Sequence, residues 1–421
     1  MDTKSVIKRT ILQDIRNHVN EKEITLIVGP RQAGKTTLMC ILEEELRYEK
    51  RQTLFLSLDR GSDAKHFASQ EALIEKLTLE LGHAGGVVFI DEIQRKENAG
   101  LFLKGIYDMM LPYKFIVSGS GSIELKEKIH ESLAGRKLVF AVYPVSLWEF
   151  INFCTAYRYE DTLAEFFAVE QEFALRLLDE YLRFGGYPRV ILAETHEEKT
   201  RVMDEIFQSY VEKDISHLLR VEKLDAFRSL VEVLASQNGQ LLTVTELSNT
   251  LSLSLETVRN YLWYLEHTFI MERVTPFFRN KRKEITKSPV LYFTDLGLRN
   301  YALGQYGASL TLQDVGFLFQ NLIYHILKTA LRYSGARIHF WRTKDQAEID
   351  FVVTRGSIIT PFEVKYTALK DIMASKSLRS FIKQYAPRQA FIVTRANHAD
   401  SSIEETRVQT IPFYDLYQMK L

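Results

Sequence analysis

Five short apolar runs, at residues 24–28, 53–58, 87–91, 114–118 and 138–142, punctuate the first third of the chain, and stretches of helical periodicity separate them. Unbroken apolar runs of this length predict strands buried on both faces. Their alternation with helices predicts a parallel sheet covered on each side. Residues 146–235 turn helical and charged, with one interruption at Phe184-Gly185-Gly186-Tyr187-Pro188, where two glycines and a proline break any helix. From 236 the pattern changes again. Thr243 to Leu247 reads as a helix start, Asn249 to Ser254 as a turn, and Leu255 to Phe269 as a second helix. Its apolar positions are Leu255, Val258, Tyr261, Leu262, Leu265 and Phe269, which leaves Thr257, Arg259 and Asn260 on the exposed side. Two strand-like runs, 270–274 and 290–293, flank the basic stretch Arg279-Asn280-Lys281-Arg282-Lys283. Helix, turn, helix and basic hairpin together predict a winged helix. In the last segment the strand-like 347–353 alternates apolar and polar residues, turns at 354–357 and returns through Pro361-Phe362-Glu363-Val364-Lys365.

The first apolar run leads into Gly29-Pro30-Arg31-Gln32-Ala33-Gly34-Lys35-Thr36-Thr37, a strand–loop–helix phosphate cradle. Glycines let the backbone curl so that its N–H groups face the phosphates. Lys35 reaches the β- and γ-phosphates, the Thr36 hydroxyl takes a Mg²⁺ position, and the helix starting near Lys35 adds its positive end. The third run ends in Asp91 and Glu92. Asp91 is expected to hold Mg²⁺ through water and Glu92 to polarise the attacking water. The fourth run ends in Ser118, and ligands gather at the carboxyl ends of strands in such sheets. No Asn-Lys-x-Asp motif occurs, so ATP is expected rather than GTP.

Composition narrows the setting. The chain has 421 residues, 46% hydrophobic and 26% charged, which suits an ordinary soluble protein of two to four domains. Lys+Arg and Asp+Glu balance at 54 each, so any case for nucleic acid must rest on local patches. Two cysteines, Cys40 and Cys154, without metal spacing, fit a reducing cytoplasm. No apolar run is long enough for a membrane span. The charged N-terminal stretch with Lys4, Lys8, Arg9, Asp14 and Arg16 reads as an amphipathic helix.

Local chemistry then points to DNA. Arg259 on the second helix and Lys281, Arg282 and Lys283 at the hairpin tip are the expected backbone contacts. In the last segment, alternation puts Glu363 and Lys365 on one face of a strand, and the hairpin return brings Asp350 beside them. Two carboxylates can bind a divalent metal while a lysine orients water, the equipment of phosphodiester hydrolysis.

Taken together these residues resemble AAA+ ATPases of the large prokaryotic group related to signal-transduction NTPases. In that group an ATPase core precedes a winged helix and a restriction-endonuclease-like C-terminal domain of unknown function. The resemblance covers nearly the whole chain. It implies an α/β protein: a P-loop AAA+ core over 1–150, a helical lid over 151–235, a winged helix over 236–305 and a PD-(D/E)XK nuclease-like α/β domain over 306–421. Ser118 stands where the family has its polar sensor. Ser132-Leu133-Ala134-Gly135-Arg136 is similar to the family's Leu-Ala-Gly-Arg, which implies that Arg136 is an arginine finger given to a neighbouring subunit. Gly186-Tyr187-Pro188 is similar to the Gly-x-Pro motif whose proline packs near adenine. Asp350, Glu363 and Lys365 match the nuclease-type core, but Gln320 stands where the family usually offers a glutamate and brings no negative charge.

The function implied is that of an ATP-hydrolysing, DNA-binding protein that uses ATP and Mg²⁺. It would act on duplex or branched DNA as a homo-oligomer, a hexameric ring or a smaller assembly, in the cytoplasm and away from membranes. Two alternatives stay open: an ATP-controlled signalling or defence switch with the C-terminal domain as effector, and an ATPase scaffold whose nuclease-like domain is inactive.

Overall fold

β-Branched and aromatic residues dominate five strands: β1 (Ile24–Gly29), β2 (Thr53–Ser57), β3 (Gly86–Asp91), β4 (Tyr113–Ser120) and β5 (Lys137–Ala141). They pair in parallel in the order β2-β3-β4-β1-β5, so the five predicted runs are the five strands of one sheet. Every residue of β1 is buried, as expected of a central strand. Its side chains serve two cores. Leu26 and Val28 join Leu56, Val88, Ile90 and Val117 under helix residues Leu73, Leu77 and Leu103. Ile27 faces the other way and joins Val87, Phe89, Ile116 and Phe140 under Leu38, Met39 and Leu42. Five parallel strands between helices form a layered α/β core, with a separate mixed sheet in the C-terminal part.

The structure is a computed structural model that describes residues 6–120, 133–210, 224–278, 288–367 and 373–419. The chain divides into two compact units. One takes Met1–Glu149, Tyr187–Leu224 and Asn260–Ile270; the other takes Phe150–Gly186, Asp225–Arg259 and Met271–Leu421. Each unit is therefore discontinuous in sequence.

In the second unit, β6 (Met271–Val274) and β7 (Val290–Phe293) pair antiparallel. The predicted helix–turn–helix appears as helices Val244–Leu251 and Leu255–His267. The second helix stops two residues short of the predicted Phe269, which takes a left-handed conformation (φ 62°) that ends it. Lys281, Arg282 and Lys283 lie outside the described residues. Strands β8 (Arg337–Arg342), β9 (Glu348–Arg355), β10 (Ile358–Val364), β11 (Gln389–Thr394), β12 (Ala399–Ile403) and β13 (Thr406–Pro412) form a second sheet, in the order β12-β13-β11-β10-β9-β8. The β9–β10 hairpin closes through Gly356 (φ 60°) and Ser357, a two-residue turn whose backbone favours glycine. Helix Lys376–Tyr385 covers this sheet with Leu378, Phe381 and Ile382 against Trp341, Ile349, Val352 and Ile392.

The predicted break at 184–188 has a definite anchor. Helix Gln171–Phe184 stops at Gly185 (φ 76°), and a short helix restarts with Pro188 as its first residue. Asp295, the N-cap of helix Leu296–Ala302, accepts from Leu298 N at 2.8 Å and from Gly186 N at 2.7 Å. A Cβ on Gly297 would stand 2.0 Å from the Phe184 carbonyl oxygen, so only glycine allows the approach.

Asp295 is 2% exposed, and burial pushes its carboxyl up to about 6 against the pull of three backbone N–H groups. A folded-state value above the unfolded one means that the native state holds the proton more tightly. The stabilisation is complete below about pH 4 and is lost as pH rises through about 6. The shift is worth on the order of 3 kcal/mol. Asp295→Asn should therefore remove a falling component from the urea midpoint between pH 4 and 6.5, relative to the parent chain. Parallel pH profiles for the two proteins would contradict the assignment.

Candidate functional site

The carboxyl edge of the first sheet collects most of the predicted nucleotide residues. Strand β1 turns away at Gly29, where a Cβ would lie 2.1 Å from the Val142 carbonyl oxygen. Gln32 (φ 59°) and Gly34 (φ 94°) then curl the loop through left-handed conformations. Lys35 opens the helix Lys35–Tyr48 and is buried, with Nζ donating to the carbonyls of Gly29 at 3.0 Å and Pro30 at 2.8 Å. The ammonium thus lies inside the curl of the loop. Thr36 Oγ1 donates to Asp91 Oδ2 at 2.9 Å, and the Ser118 hydroxyl donates to the other oxygen of Asp91. Register explains the meeting, because β4 runs parallel between β1 and β3 and all three end at the same edge.

Glu92 follows directly, with its N–H donating to Ser118 Oγ at 3.3 Å. It takes a left-handed conformation (φ 59°), which costs a non-glycine residue about 1–2 kcal/mol and is a form of strain that concentrates at functional sites. Gln94 donates to its carboxylate. Burial raises the pKa of Glu92, Lys35 lowers it, and Asp91 raises it further. A carboxylate tuned upward beside a cation is suited to accept a proton from water.

A groove of about 470 Å³ runs along this edge, lined by Arg31, Gln32, Gly34, Lys35, Thr36, Thr37 and Glu92 at its polar side. Its apolar side is made by Val6, Ile7, Ile41, Pro188 and Leu192. The volume and a lining that combines cationic and apolar residues suit a nucleoside triphosphate. A groove of about 550 Å³ at the opposite edge of the sheet contains Lys114, whose ammonium is taken up by the carbonyls of Glu21 and Glu23 and by His18. It is lined neither by the Gly29–Thr37 loop nor by Glu92, so the chemistry favours the first groove. Thr36 and Asp91 supply hard oxygen donors, the set that suits Mg²⁺.

Arg136 is not brought to this loop. Its carbonyl accepts from Ile24 N, at the start of β1, whereas the phosphate loop follows the end of β1. Six residues of strand separate the two, roughly 20 Å. Its guanidinium pairs with Asp108 at 2.7 Å on the surface.

In the C-terminal sheet, Asp350, Glu363, Lys365 and Gln320 do come together. Gln320 Nε2 donates to Asp350 Oδ1 at 2.7 Å, and Val364 N donates to Oδ2 at 2.7 Å. Lys365 Nζ lies 3.3 Å from Glu363 Oε1, and Ser375 N donates to Oε2 at 3.4 Å. Crowding by protein atoms pushes the Asp350 carboxyl up to about 7, with Glu348 and Glu363 adding to the effect. Among the described residues no group of three or more His, Cys, Asp or Glu is arranged to hold a metal ion. Arg259 is exposed on its helix.

Two contributions escaped the sequence reading. Glu348 shares the face of Asp350 through the two-residue period of the strand, a signal that was available. Arg9 was expected on an amphipathic helix, but that helix begins at Ile11, and the Arg9 side chain before it is 8% exposed and paired with Glu149. Nothing local announces a partner 140 positions away.

The first sheet and this edge form a P-loop core of the AAA+ type. Residues 21–151 match the model of the AAA domain; residues 175–309 and 315–416 match two domains of unknown function, DUF8612 and DUF4143. A protein of Mycobacterium tuberculosis described as uncharacterized is 27% identical over 399 residues, covering 93% of this chain and 80% of its own. A Haemophilus influenzae protein, also described as uncharacterized, is 24% identical over 378 residues, covering 86% and 88%. Among solved structures, the Aeropyrum pernix ORC1 protein in complex with DNA is 14% identical, with a TM-score of 0.32, over 72% of this chain and 94% of that one. The replication initiator DnaA bound to AMPPCP and single-stranded DNA is 15% identical, with a TM-score of 0.32, over 62% and 90%. No helix among the described residues is long and apolar enough to cross a membrane.

Lys35→Ala should abolish nucleotide binding or turnover, since it removes the cation inside the loop. Glu92→Gln should retain ATP binding and block hydrolysis. Equilibrium binding and steady-state phosphate release separate the two, and near-normal turnover in Glu92→Gln would remove Glu92 from its role.

Proposed function

We propose that this chain binds ATP with Mg²⁺ and hydrolyses it, and that it uses the cycle on DNA. The observation that carries the proposal is the constellation of Lys35, Thr36, Asp91, Glu92 and Ser118 at one sheet edge. Lys35 would leave the loop carbonyls for the β- and γ-phosphates. Thr36 and Asp91 would hold Mg²⁺, which when bound neutralises charge on the phosphates. Glu92 would orient and deprotonate water, with Ser118 fixing both acids. Gly29 to Thr37 would wrap the phosphates and Pro188 would close the base end. The purine is read as adenine because no guanine-reading motif is present.

Arg136 lies at the edge away from its own phosphate loop, and this supports a role toward a neighbouring subunit in a homo-oligomer, a hexameric ring or a smaller assembly. The working segments would be the core 1–150, lid 151–235, winged helix 236–305 and nuclease-like domain 306–421, in a cytoplasmic protein. Exposed Arg259, with Lys281, Arg282 and Lys283, would meet the DNA backbone. ATPase rates with and without linear, single-stranded and four-way-junction DNA test the reading, with stimulation expected for duplex or branched forms. Replacing Lys281, Arg282 and Lys283 with Ala should weaken DNA binding for all sequences and flatten its salt dependence. An ATPase indifferent to every DNA would favour the switch or scaffold reading.

For the C-terminal domain we propose DNA binding with weak or absent cleavage. Asp350 and Glu363 would be the metal ligands and Lys365 would orient water, but both Asp350 oxygens already accept protein hydrogen bonds and Gln320 brings no charge. Any nicking of plasmid or branched DNA should be faster in Mn²⁺ than in Mg²⁺ and should vanish in Asp350→Ala. Rapid Mg²⁺-dependent cutting that depends on Asp350 would show an active nuclease instead.

A further inference from the structure

Arg9 and Glu149 meet inside the first unit, at 3.1 Å, with side chains 8% and 6% exposed. Glu149 Oε1 accepts from Thr10 N at 2.7 Å and from Thr10 Oγ1 at 3.0 Å, while Oε2 accepts from Ser146 N at 2.9 Å. Burial opposes the charge on Glu149, but Arg9 and then these N–H groups hold its carboxyl below the usual range. The guanidinium reaches further. Its Nη1 donates to the Ala33 carbonyl at 3.0 Å, and Nη2 donates to the carbonyls of Tyr143 at 2.6 Å and Pro144 at 3.3 Å. These contacts occupy nearly all of the donors, so Arg9 has little left to offer a phosphate directly.

The contact with Ala33 has a geometric consequence. In a trans peptide the C=O and the following N–H point in opposite directions. A carbonyl of Ala33 held by Arg9 therefore turns the Gly34 N–H away from Arg9. A Cβ on Gly34 would lie 4.0 Å from Arg9 Nη1 and 3.8 Å from Pro188 Cγ, so Arg9 stands against the phosphate loop beside Pro188, and both line the groove. Ile7, two residues before Arg9, is buried and lines the apolar side of the same groove.

We propose that Arg9, held by Glu149, is a positioning residue for nucleotide binding: it sets the Ala33–Gly34 peptide so that the Gly34 N–H faces the phosphates, and it holds Ile7 as a wall of the base end. The inference rests on the nucleotide reading above. A lysine cannot replace the planar fork that reaches several carbonyls and a carboxylate at once. Of the groups it touches only Ala33 belongs to the phosphate loop and none is a reacting atom, so the loss should fall on ground state and transition state alike.

The test uses the full chain with a fluorescent ATP analogue, steady-state ATPase and thermal melting, on the parent, Arg9→Ala, Arg9→Lys and Glu149→Gln. Arg9→Lys and Arg9→Ala should raise Kd and KM about tenfold or more, with kcat changed less than about threefold. Glu149→Gln should give a smaller rise in Kd in the same direction. Should Arg9→Ala fail to fold, Arg9→Lys alone decides. A lowered melting temperature with unchanged Kd in Arg9→Lys would leave only a structural role and overturn the proposal, as would a loss of kcat at constant Kd. A parent chain that binds no analogue while remaining folded would overturn the nucleotide reading and this inference with it.

Discussion

The Val142 carbonyl oxygen occupies the place that any side chain at Gly29 would need, 2.1 Å from where a Cβ would be. The contact follows from Val142 N donating to Val28 O at 2.8 Å, which carries the β1–β5 ladder one step past the end of β5. Strand and neighbour are so close that the chain leaves the sheet abruptly, and the phosphate loop begins at that corner. Everything at the nucleotide edge is placed relative to it. Lys35 folds back onto the carbonyls of Gly29 and Pro30, and the parallel register delivers Asp91 and Ser118 alongside. The loop is also held at the Ala33 carbonyl by Arg9, so a sharp turn is braced by a buried pair formed far away in sequence.

Much of this was legible because the signals are short in range. Five apolar runs became five strands since a strand buried on both faces needs no more than a continuous apolar stretch. The Gly-Gly-Tyr-Pro break was legible for a similar reason, because backbone freedom and the missing proline N–H act where they stand. The meeting of Asp350, Glu363 and Lys365 followed from a hairpin turn and a two-residue period. What could not be read depends on distance. Arg9 looks like any charge near a helix start, and only the tertiary fold supplies Glu149. The discontinuity of the two units is hidden likewise: the Gly-Gly-Tyr-Pro break marks a helix end without saying that the chain changes units there, and Arg259–Asn260 falls inside a continuous helix.

The two acidic sites of the chain differ in how their oxygens are used. At the nucleotide edge, Asp91 accepts from the hydroxyls of Thr36 and Ser118, which can turn and re-pair at little cost. In the C-terminal sheet, Asp350 accepts from the Gln320 amide nitrogen and from the Val364 backbone N–H, and the backbone donor cannot turn aside or offer a lone pair to a cation. A metal arriving there would have to displace a donor that belongs to the sheet itself. The first arrangement is adaptable and the second is committed, although both bring carboxylates together.

The pairing of Arg136 with Asp108 belongs on the adaptable side. Both side chains are substantially exposed, at 31% and 43%, and an ion pair in that setting is worth about 0–1 kcal/mol. That is close to thermal energy, and physiological salt screens such charges over roughly 8 Å. The guanidinium is therefore parked rather than locked. Any anion that offers it two oxygens and a drier environment can take it over at almost no expense to the fold, so the surface of each molecule keeps a cation on short lease.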